Sequence, residues 1–348
     1  MPLVFLRGYL LSRKAVHRIG IQFEDNDLVP LLFGEHGSHL ARIEDELGID
    51  IASKGNELIL SGTKPDLKMA QRALDILWER LVGGQEVGLG EVDAALRLTR
   101  NPMDAGTREL AMNAFREPQI KMKGKSKEFS ARTPTQALYI DAIRKYDLVF
   151  GMGPAGTGKT FLAVAQAVAM MQEGLVDRLI LCRPAVEAGE HLGFLPGDLQ
   201  EKVDPYLRPI YDALHDMLPA EQIVKRITDG DIEVAPLAFM RGRTLSNAFI
   251  ILDEAQNTTP SQMKMALTRI GEGSRMVITG DPTQTDLPAH QKSGLNDALE
   301  TLGDVKEVSV IHFDKTDVVR SRIVGRIVDA YERKDKPETP KGPARTRE

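Results

Sequence analysis

One stretch decides the fold: Gly153-Pro154-Ala155-Gly156-Thr157-Gly158-Lys159-Thr160. It fits the pattern G-x-x-x-x-G-K-[ST] in full. Residues 147–152 before it form a short apolar run, and residues 160–171 after it form an alanine-rich run typical of a helix. Because glycine has no Cβ, the backbone N–H groups of such a turn can curl toward a bound anion. The stretch therefore predicts a phosphate-binding loop between a strand and a helix.

The last two residues of this loop indicate the kind of ligand. The following helix offers the positive end of its dipole to an anion. Lys159 can reach the β- and γ-phosphates of a nucleotide, and the Thr160 hydroxyl can bind Mg²⁺. A chance glycine-rich turn is the alternative, but the strand before the loop and the helix after it supply the context that the motif requires. The chain is therefore expected to bind a nucleoside triphosphate together with Mg²⁺.

A second signal is the apolar run of residues 249–252, which ends in Asp253 and Glu254. A parallel sheet would place these carboxylates at its carboxyl edge, where phosphates lie. Asp253 is expected to hold Mg²⁺, directly or through water, and Glu254 to orient or deprotonate the attacking water. The alternative is a strand that ends in an ordinary charged loop.

A third apolar run, residues 276–279, is followed by Gly280-Asp281-Pro282-Thr283-Gln284. Gln284 is a candidate sensor of the γ-phosphate, because a neutral amide can bond the terminal phosphate and lose that bond on hydrolysis. Gly-Asp-Pro-Thr is also a common turn, so simple turn chemistry is the alternative.

Apolar runs and helical stretches alternate over residues 133–331. Besides those above, residues 179–182 and 308–311 are short apolar runs bounded by turn signals. Such runs are typical of a parallel sheet that is covered on both faces. The predicted fold class is α/β: a P-loop NTPase of the RecA/helicase-like type, with a mostly parallel sheet between helices, preceded by a smaller α+β module.

Composition indicates an ordinary globular protein. The 348 residues are 42% hydrophobic and carry a net charge of −5, which argues against tight, passive binding of nucleic acid. No apolar run approaches the roughly 20 residues that span a bilayer, and the N-terminal residues lack the order of a signal peptide. A cytoplasmic protein without a membrane partner is expected. The single cysteine, Cys182, excludes an internal disulfide framework and is expected to be a buried strand residue.

The first module shows the order β-α-α-β-β-α. Strands are predicted at residues 18–23, 49–53 and 57–61, and helices at residues 27–33, 40–47 and 65–81. Ser38 is the expected N-cap of the second helix. One face of the last helix is apolar, with Leu67, Ala70, Leu74 and Leu77.

This order, with Gly34-x-x-Gly37 between two helices, resembles a KH domain. The resemblance implies that Gly34 and Gly37 flank a loop that lies against an RNA backbone, beside a groove for about four bases. Glu35 departs from the basic residue that KH domains often carry in this loop, and a carboxylate repels phosphate. RNA contact and a role in protein docking or oligomerisation are therefore both open.

Motifs outside the phosphate loop resemble two groups of ATPases. Residues 253–256 (DEAQ) and 280–284 (GDPTQ) resemble motifs II and III of superfamily 1 helicases. A closer resemblance is to the PhoH-like ATPase family, over residues 133–331. It is carried by residues 183–190 (RPAVEAGE), 192–198 (LGFLPGD), 202–209 (KVDPYLRP), 293–295 (SGL) and 317–320 (DVVR). The family implies hydrolysis of ATP and a link to RNA metabolism.

The resemblance also suggests a residue that reads the base. Gln136 is similar to the glutamine with which helicases read adenine, and an amide can pair with both a donor and an acceptor on that base. The alternative is a helix start in which Thr133 or Thr135 is the cap and Gln136 lies in the first turn.

Three arginines are candidates for contacts with phosphate. Arg320 and Arg322 are candidates for the cation that stabilises the transferring phosphoryl group, with a solvated helix face as the alternative. Arg183 follows a predicted strand, so it is expected at the sheet edge where ligands gather. It can contact phosphate or an RNA backbone, or form a structural ion pair with Glu187 or Glu190.

Five segments follow from these patterns. They are an N-terminal segment at residues 1–12, a KH-like domain at 13–83, a helical and basic linker at 84–131, a PhoH-like ATPase domain at 132–333 and a disordered tail at 334–348. Within the linker, residues 121–127 are basic and without interleaved aromatic residues, and a solvated segment is expected there.

Two functions remain from the sequence. One is an RNA-associated, Mg²⁺-dependent ATPase, such as an RNA helicase, with single-stranded RNA as its ligand. The other is a nucleotide-gated adaptor that assembles with a partner such as an endoribonuclease. The second is favoured by a single ATPase core, because monomeric helicases pair two such domains. The resemblance also suggests a homo-oligomer, with a hexameric ring as the form considered.

Overall fold

The computed structural model describes residues 17–100, 105–116, 120–122, 128–184, 199–288 and 290–319. The first module has the order that the sequence predicts. Its elements are β1 (His17–Gln22), α1 (Val29–Phe33), α2 (Ser38–Leu47), β2 (Asp50–Lys54), β3 (Glu57–Gly62) and α3 (Lys64–Val82).

The strands of this module form an antiparallel sheet in the order β1-β3-β2. Helix α3 packs on the sheet because its predicted apolar face is buried there. The helix begins at a cap: the Thr63 side chain accepts a hydrogen bond from the backbone N–H of Asp66, and Pro65 lies in the first turn.

The loop between α1 and α2 contains the two glycines of the Gly34-x-x-Gly37 motif. Both have left-handed φ angles, 74° at Gly34 and 75° at Gly37, and the exposed His36 between them also has a positive φ of 54°. The expectation that Ser38 caps α2 is wrong. Gly37 occupies the cap position in a left-handed conformation, and Ser38 is the first helical residue.

Residues 84–131 differ from the expected linker. They contain α4 (Leu89–Arg100), α5 (Ala105–Arg116) and a small hairpin of β4 (Ile120–Lys121) and β5 (Glu128–Phe129). Helix α4 buries Val92, Ala95 and Leu96 against α2 and α3. The apolar residues of this segment are spaced by three and four, so the described part packs like a core helix and not like a solvated connection. The domain boundaries themselves stay predictions.

The larger module is an α/β unit. Its elements are α6 (Pro134–Lys145), β6 (Leu148–Met152), α7 (Lys159–Glu173), β7 (Arg178–Arg183), α8 (Leu199–Met217), α9 (Ala220–Asp229), β8 (Ile232–Pro236), β9 (Ala248–Leu252), α10 (Pro260–Leu267), β10 (Arg275–Gly280), α11 (Gly294–Leu302) and β11 (Val308–His312). The six strands are all parallel, in the order β11-β6-β10-β9-β7-β8. The predicted α/β fold class is confirmed.

Five of these strands are the five apolar runs of the sequence. Strand β8 was not predicted, because Glu233 interrupts its apolar residues and Pro236 ends it. Its place at the end of the sheet explains this composition, since an edge strand is covered less completely than the buried strands β6 and β9.

Strand order decides where the chemistry lies. The phosphate-loop strand β6 and the strand β9, which leads to Asp253, are separated by β10. Because all the strands are parallel, the loops that follow them meet at one carboxyl edge. Within the described ranges, no helix is long and apolar enough to cross a membrane.

Candidate active site

The phosphate loop connects β6 to α7, as the sequence predicts. Three of its glycines have positive φ angles: 137° at Gly153, 84° at Gly156 and 85° at Gly158. A Cβ added to Gly153 would overlap the backbone carbonyl of Phe313, the residue that follows β11. Gly153 is therefore required both by its φ angle and by the close approach of a neighbouring strand end.

Lys159 begins α7 and turns back over the loop. Its Nζ lies 2.6 Å from the carbonyl oxygen of Gly153 and 2.8 Å from that of Pro154. The ammonium group is largely buried and lies at the positive end of α7. Together these features concentrate positive charge at the loop, which is the electrostatic condition for binding a phosphate.

Asp253 follows β9 and faces the loop across β10. Its Oδ1 accepts a hydrogen bond of 2.7 Å from the Thr160 hydroxyl and one of 2.6 Å from the Thr279 hydroxyl. The carboxylate is 4% exposed. The predicted pair of Thr160 and Asp253 is thus in direct contact, and Thr279 at the end of β10 orients the same oxygen.

The Thr160 and Asp253 pair fits a magnesium ion. Mg²⁺ prefers hard oxygen ligands and is usually held by one or two carboxylates together with substrate phosphates and water. A threonine hydroxyl and a carboxylate, side by side next to a phosphate loop, are such a donor set. These two residues would hold the ion beside the terminal phosphates.

Glu254 follows Asp253 with a left-handed backbone, φ 52°. Its Oε1 lies 2.6 Å from Nη2 of Arg183, and its Oε2 accepts a hydrogen bond of 2.5 Å from Nε2 of Gln256. Arg183 therefore forms an ion pair with Glu254, a carboxylate other than those considered from the sequence. Both oxygens of Glu254 are engaged by protein donors.

Gln284 is brought to the same place by a turn after β10. Its Nε2 donates to Oδ2 of Asp281 at 2.8 Å, while Oδ1 of Asp281 accepts bonds from the backbone and hydroxyl of Thr283. The backbone N–H of Asp281 donates to Oε1 of Gln256 at 3.1 Å. The structure contains the turn that the sequence suggests, and this turn holds Gln284 beside the loop; its role as a γ-phosphate sensor stays a prediction.

A cavity of about 250 Å³ joins these groups. The phosphate loop and the start of α7 form one wall, and the ends of β9 and β10 form the other. Its lining includes Lys159, Thr160, Asp253, Glu254, Asp281 and Gln284. The three motifs predicted from separate parts of the sequence therefore line a single cavity.

A second cavity of about 400 Å³ shares Gly156, Gly158 and Phe161 with the first. Gln136 lies in its wall, in the first turn of α6 after the cap Thr133. Both interpretations of Gln136 thus have a structural counterpart. Its Nε2 donates to the carbonyl of Thr157 in the loop at 3.0 Å, and its Oε1 accepts from the backbone N–H of Arg132 at 2.7 Å.

The other predicted site residues lie elsewhere. Arg320 and Arg322 are outside the described residues, which end at Val319. Gly34 and Gly37 lie in the first module and do not line either cavity.

Comparison with known proteins identifies the family. A family model described as PhoH-like protein matches residues 128–332. The PhoH-like protein of Bacillus subtilis (strain 168) is 48% identical over 305 residues, which cover 87% of this chain and 94% of that protein. The chain belongs to the PhoH-like protein family. The Synechocystis PhoH-like protein is 46% identical over 309 residues, covering 89% of this chain and 93% of that protein.

Two further matches are partial. Protein PhoH of Escherichia coli (strain K12) is 48% identical over 203 residues, which cover 58% of this chain and 57% of that protein. The large terminase from a thermophilic bacteriophage matches at 14% identity with a TM-score of 0.34, over 55% of this chain and 46% of that chain, and this similarity is too low to carry an argument. PhoH-like family membership and the P-loop fold together support a nucleotide-hydrolysing protein.

Three residues of this PhoH-like site carry no separate signal in the sequence. Thr279 and Gln256 reach Asp253 and Glu254 only through strand order and a one-turn helix. The buried Tyr139 lies against Gly151 of β6, and its hydroxyl has no hydrogen-bond partner among the described residues. Burial, and then the charge of Asp253, raise the pKa of the Tyr139 phenol well above its usual value, so it stays neutral beneath the loop.

Proposed function

We propose that this protein hydrolyses ATP with Mg²⁺ and that hydrolysis is linked to binding of single-stranded RNA. One observation carries the proposal. A single cavity has Lys159 and Thr160 on one wall and Asp253 and Glu254 on the other. This arrangement suits transfer of a phosphoryl group to water, since positioning and charge stabilisation supply most of the catalysis in that reaction.

Each residue has a role that follows from its contacts. The loop N–H groups and Lys159 bind the β- and γ-phosphates, which requires the Lys159 ammonium to exchange its carbonyl partners for phosphate oxygens. Thr160 and Asp253 hold the magnesium ion, which neutralises charge on the phosphates. Glu254 accepts a proton from, or orients, the attacking water.

The second cavity supports a nucleotide with an aromatic base. It is continuous with the phosphate loop and is lined by two aromatic rings, Phe129 and Phe161, whose centroids are 5.3 Å apart. Gln136 retains one amide hydrogen and one lone pair beyond its two internal bonds. These groups suit the complementary edge of adenine, which supports ATP as the nucleotide.

The RNA link rests on the first module. Its order β-α-α-β-β-α and its glycine loop match the features by which KH modules hold a nucleic-acid backbone. Glu35 in the loop is exposed, so RNA contact there is expected to be weak and salt-dependent.

The test is release of phosphate from ATP by the full chain, with and without a single-stranded oligouridine. Lys159→Ala and Glu254→Gln are each expected to lower kcat by roughly a hundredfold, since each removes a group that acts on the transferring phosphate or the water. Lys225→Ala, at an exposed lysine of α9, is the matched control and should leave the rate unchanged. Wild-type turnover by Glu254→Gln would contradict the hydrolytic site.

A second function has one observation in its favour. The part of the chain that the structure describes contains one six-stranded parallel sheet, and therefore one ATPase core. An adaptor that uses ATP to assemble with an endoribonuclease needs no second core, whereas unwinding by one chain does. Strand-separation assays with wild type and Lys159→Ala distinguish the two. ATP-dependent complex formation without unwinding would favour the adaptor.

A further inference from the structure

The ends of β7 and β9 bring a cation against both acidic residues of the site. Arg183 is the last residue of β7, which pairs directly with β9. Its Nη2 lies 2.6 Å from Oε1 of Glu254, and its Nε lies 3.9 Å from Oδ2 of Asp253. The guanidinium therefore sits between the carboxylate assigned to the metal and the carboxylate assigned to the water.

Glu254 is restrained from two sides. Arg183 holds Oε1, and Gln256 donates to Oε2 at 2.5 Å. Gln256 is itself fixed, because its Oε1 accepts the backbone N–H of Asp281. Charge-assisted hydrogen bonds of this kind are strong and directional. A carboxylate whose two oxygens already accept such bonds is a poor acceptor for a proton from water.

We propose that Arg183 is a positioning residue that restrains Glu254, and that a phosphate of bound single-stranded RNA takes Arg183 over and frees the carboxylate. This deepens the proposed function and rests on it. ATP turnover is then slow until RNA is bound. The ion pair of Arg183 and Glu254 is the element that switches, and the RNA backbone is the ligand that biases it.

Two features of the sheet edge favour an RNA phosphate as the competing anion. The guanidinium fork binds phosphate as well as carboxylate, and the Arg183 side chain is 18% exposed, so a ligand can reach it. In the register of β7 with β8, Arg183 lies beside Pro236. One helical turn after Pro236 come Phe239, 52% exposed, and the exposed Arg241. An aromatic ring and a cation beside each other suit a base and its phosphate in a single strand.

The opposite role of Arg183 makes the opposite prediction. If the guanidinium contacted the transferring phosphate directly, its removal would lower turnover, as loss of a transition-state contact does. If it restrains Glu254, its removal raises turnover in the absence of RNA. The sign of the effect therefore separates a restraint from a catalytic contact.

The experiment compares the full-length wild type and Arg183→Gln with ATP, Mg²⁺ and oligouridine. Without RNA, Arg183→Gln is expected to raise kcat by about tenfold, the factor that one charge-assisted hydrogen bond is worth. The KM for ATP and the binding of a fluorescent ATP analogue should stay unchanged. Oligouridine should no longer stimulate turnover, and its anisotropy-measured affinity should fall. Arg183→Lys, which keeps the charge but not the fork, should lie between the two.

Two controls fix the interpretation. Arg243 forms a comparable ion pair with Glu233, at 2.6 and 2.7 Å, and lines neither site cavity. Arg243→Gln should therefore leave basal and RNA-stimulated turnover unchanged. In the double variant Arg183→Gln with Glu254→Gln, the gain should vanish, because it acts through Glu254.

The outcomes that overturn the proposal are distinct from failure of the proposed function. Turnover by Arg183→Gln at or below the wild-type rate without RNA, with the ATP analogue still bound, sinks the restraint. Persistence of the gain in the double variant does the same. Failure of the proposed function itself shows elsewhere, as wild-type turnover in Glu254→Gln and Lys159→Ala.

Discussion

At the scale of single residues, the site depends on groups that hold the acidic side chains. Asp253 is oriented by the hydroxyls of Thr160 and Thr279, and Glu254 by Arg183 and Gln256. The acidic residues themselves are evident from the end of an apolar run. Their partners are not, because Thr279 and Arg183 lie 26 and 70 positions from Asp253 along the chain. Only the packing of β7, β9 and β10 brings them together.

Removing the Thr279 hydroxyl tests this orientation. Thr279→Val keeps the shape of a fully buried side chain but deletes the donor to Oδ1 of Asp253. The apparent affinity for Mg²⁺ in the ATPase assay is expected to fall by about tenfold, the size of effect found for groups that orient metal ligands. Thr268→Val, at an exposed threonine that bonds carbonyls of its own helix, is the control. Equal Mg²⁺ dependence of both variants would show that Thr279 has no orienting role.

At the scale of elements, the sheet behaves as the apolar runs predict. Strands β6 and β9 are buried along their whole length, and β7 is buried except at its two ends. Five strands were recognisable because each is a short apolar run between turn signals. Strand β8 was not, because an edge position lets polar residues into the strand. Helix α5 and the small hairpin β4–β5 were also not predicted, since their apolar pattern is weak.

The burial of β7 predicts a measurable dependence of stability on pH. Cys182 is buried in this strand, and burial raises the pKa of its thiol to about 12. In the unfolded chain a thiol has a pKa of about 8.5. Because the folded-state pKa is the higher one, the contribution of Cys182 to stability is complete below about pH 8.5 and is lost as the pH rises toward 12.

Urea unfolding of the wild type and Cys182→Ala at pH 8 and pH 10 measures this contribution. Between these values the free energy of unfolding of the wild type should fall by about 2 kcal/mol more than that of the variant. Other groups titrate equally in both proteins, and Cys182 is the one cysteine of the chain. The same loss in both proteins would mean that the thiol is accessible to water in the folded state.

At the scale of the whole molecule, the two modules share a core. One cluster of buried side chains runs from the first module through α4 to α6, α7 and one face of the large sheet, and includes Leu74, Leu96, Ile140 and Val168. Polar contacts follow the same path. Arg42 of α2 forms an ion pair with Asp93 of α4, with bonds of 2.5 and 2.9 Å.

Helix α4 also reaches the phosphate loop. Nη2 of Arg97 lies 3.4 Å from the carbonyl oxygen of Val318, and the backbone N–H of Val319 donates to the carbonyl of Gly156 at 3.0 Å. Arg80 of α3 and Glu91 of α4 line the second cavity beside the loop. The first module therefore contributes to the surroundings of the nucleotide as well as to the common core.

This shared core predicts a single cooperative unfolding transition for the full chain. Modules joined by a solvated linker unfold independently, whereas a continuous apolar core couples them, because separating them would expose buried side chains to water. Differential scanning calorimetry and circular dichroism should give one coincident transition. Two resolved transitions, one of which shifts with added ATP and Mg²⁺, would contradict the coupling.

The sequence by itself determined the phosphate loop, the acidic strand end, the α/β class and the order of the first module. These features depend on local patterns: glycine spacing, apolar period and turn residues. Only the tertiary structure decided that Arg183 faces Glu254, that Thr279 faces Asp253 and that α4 joins the two modules. The physical reason is that strand order and helix packing are set by burial of distant apolar surfaces, which no local pattern specifies.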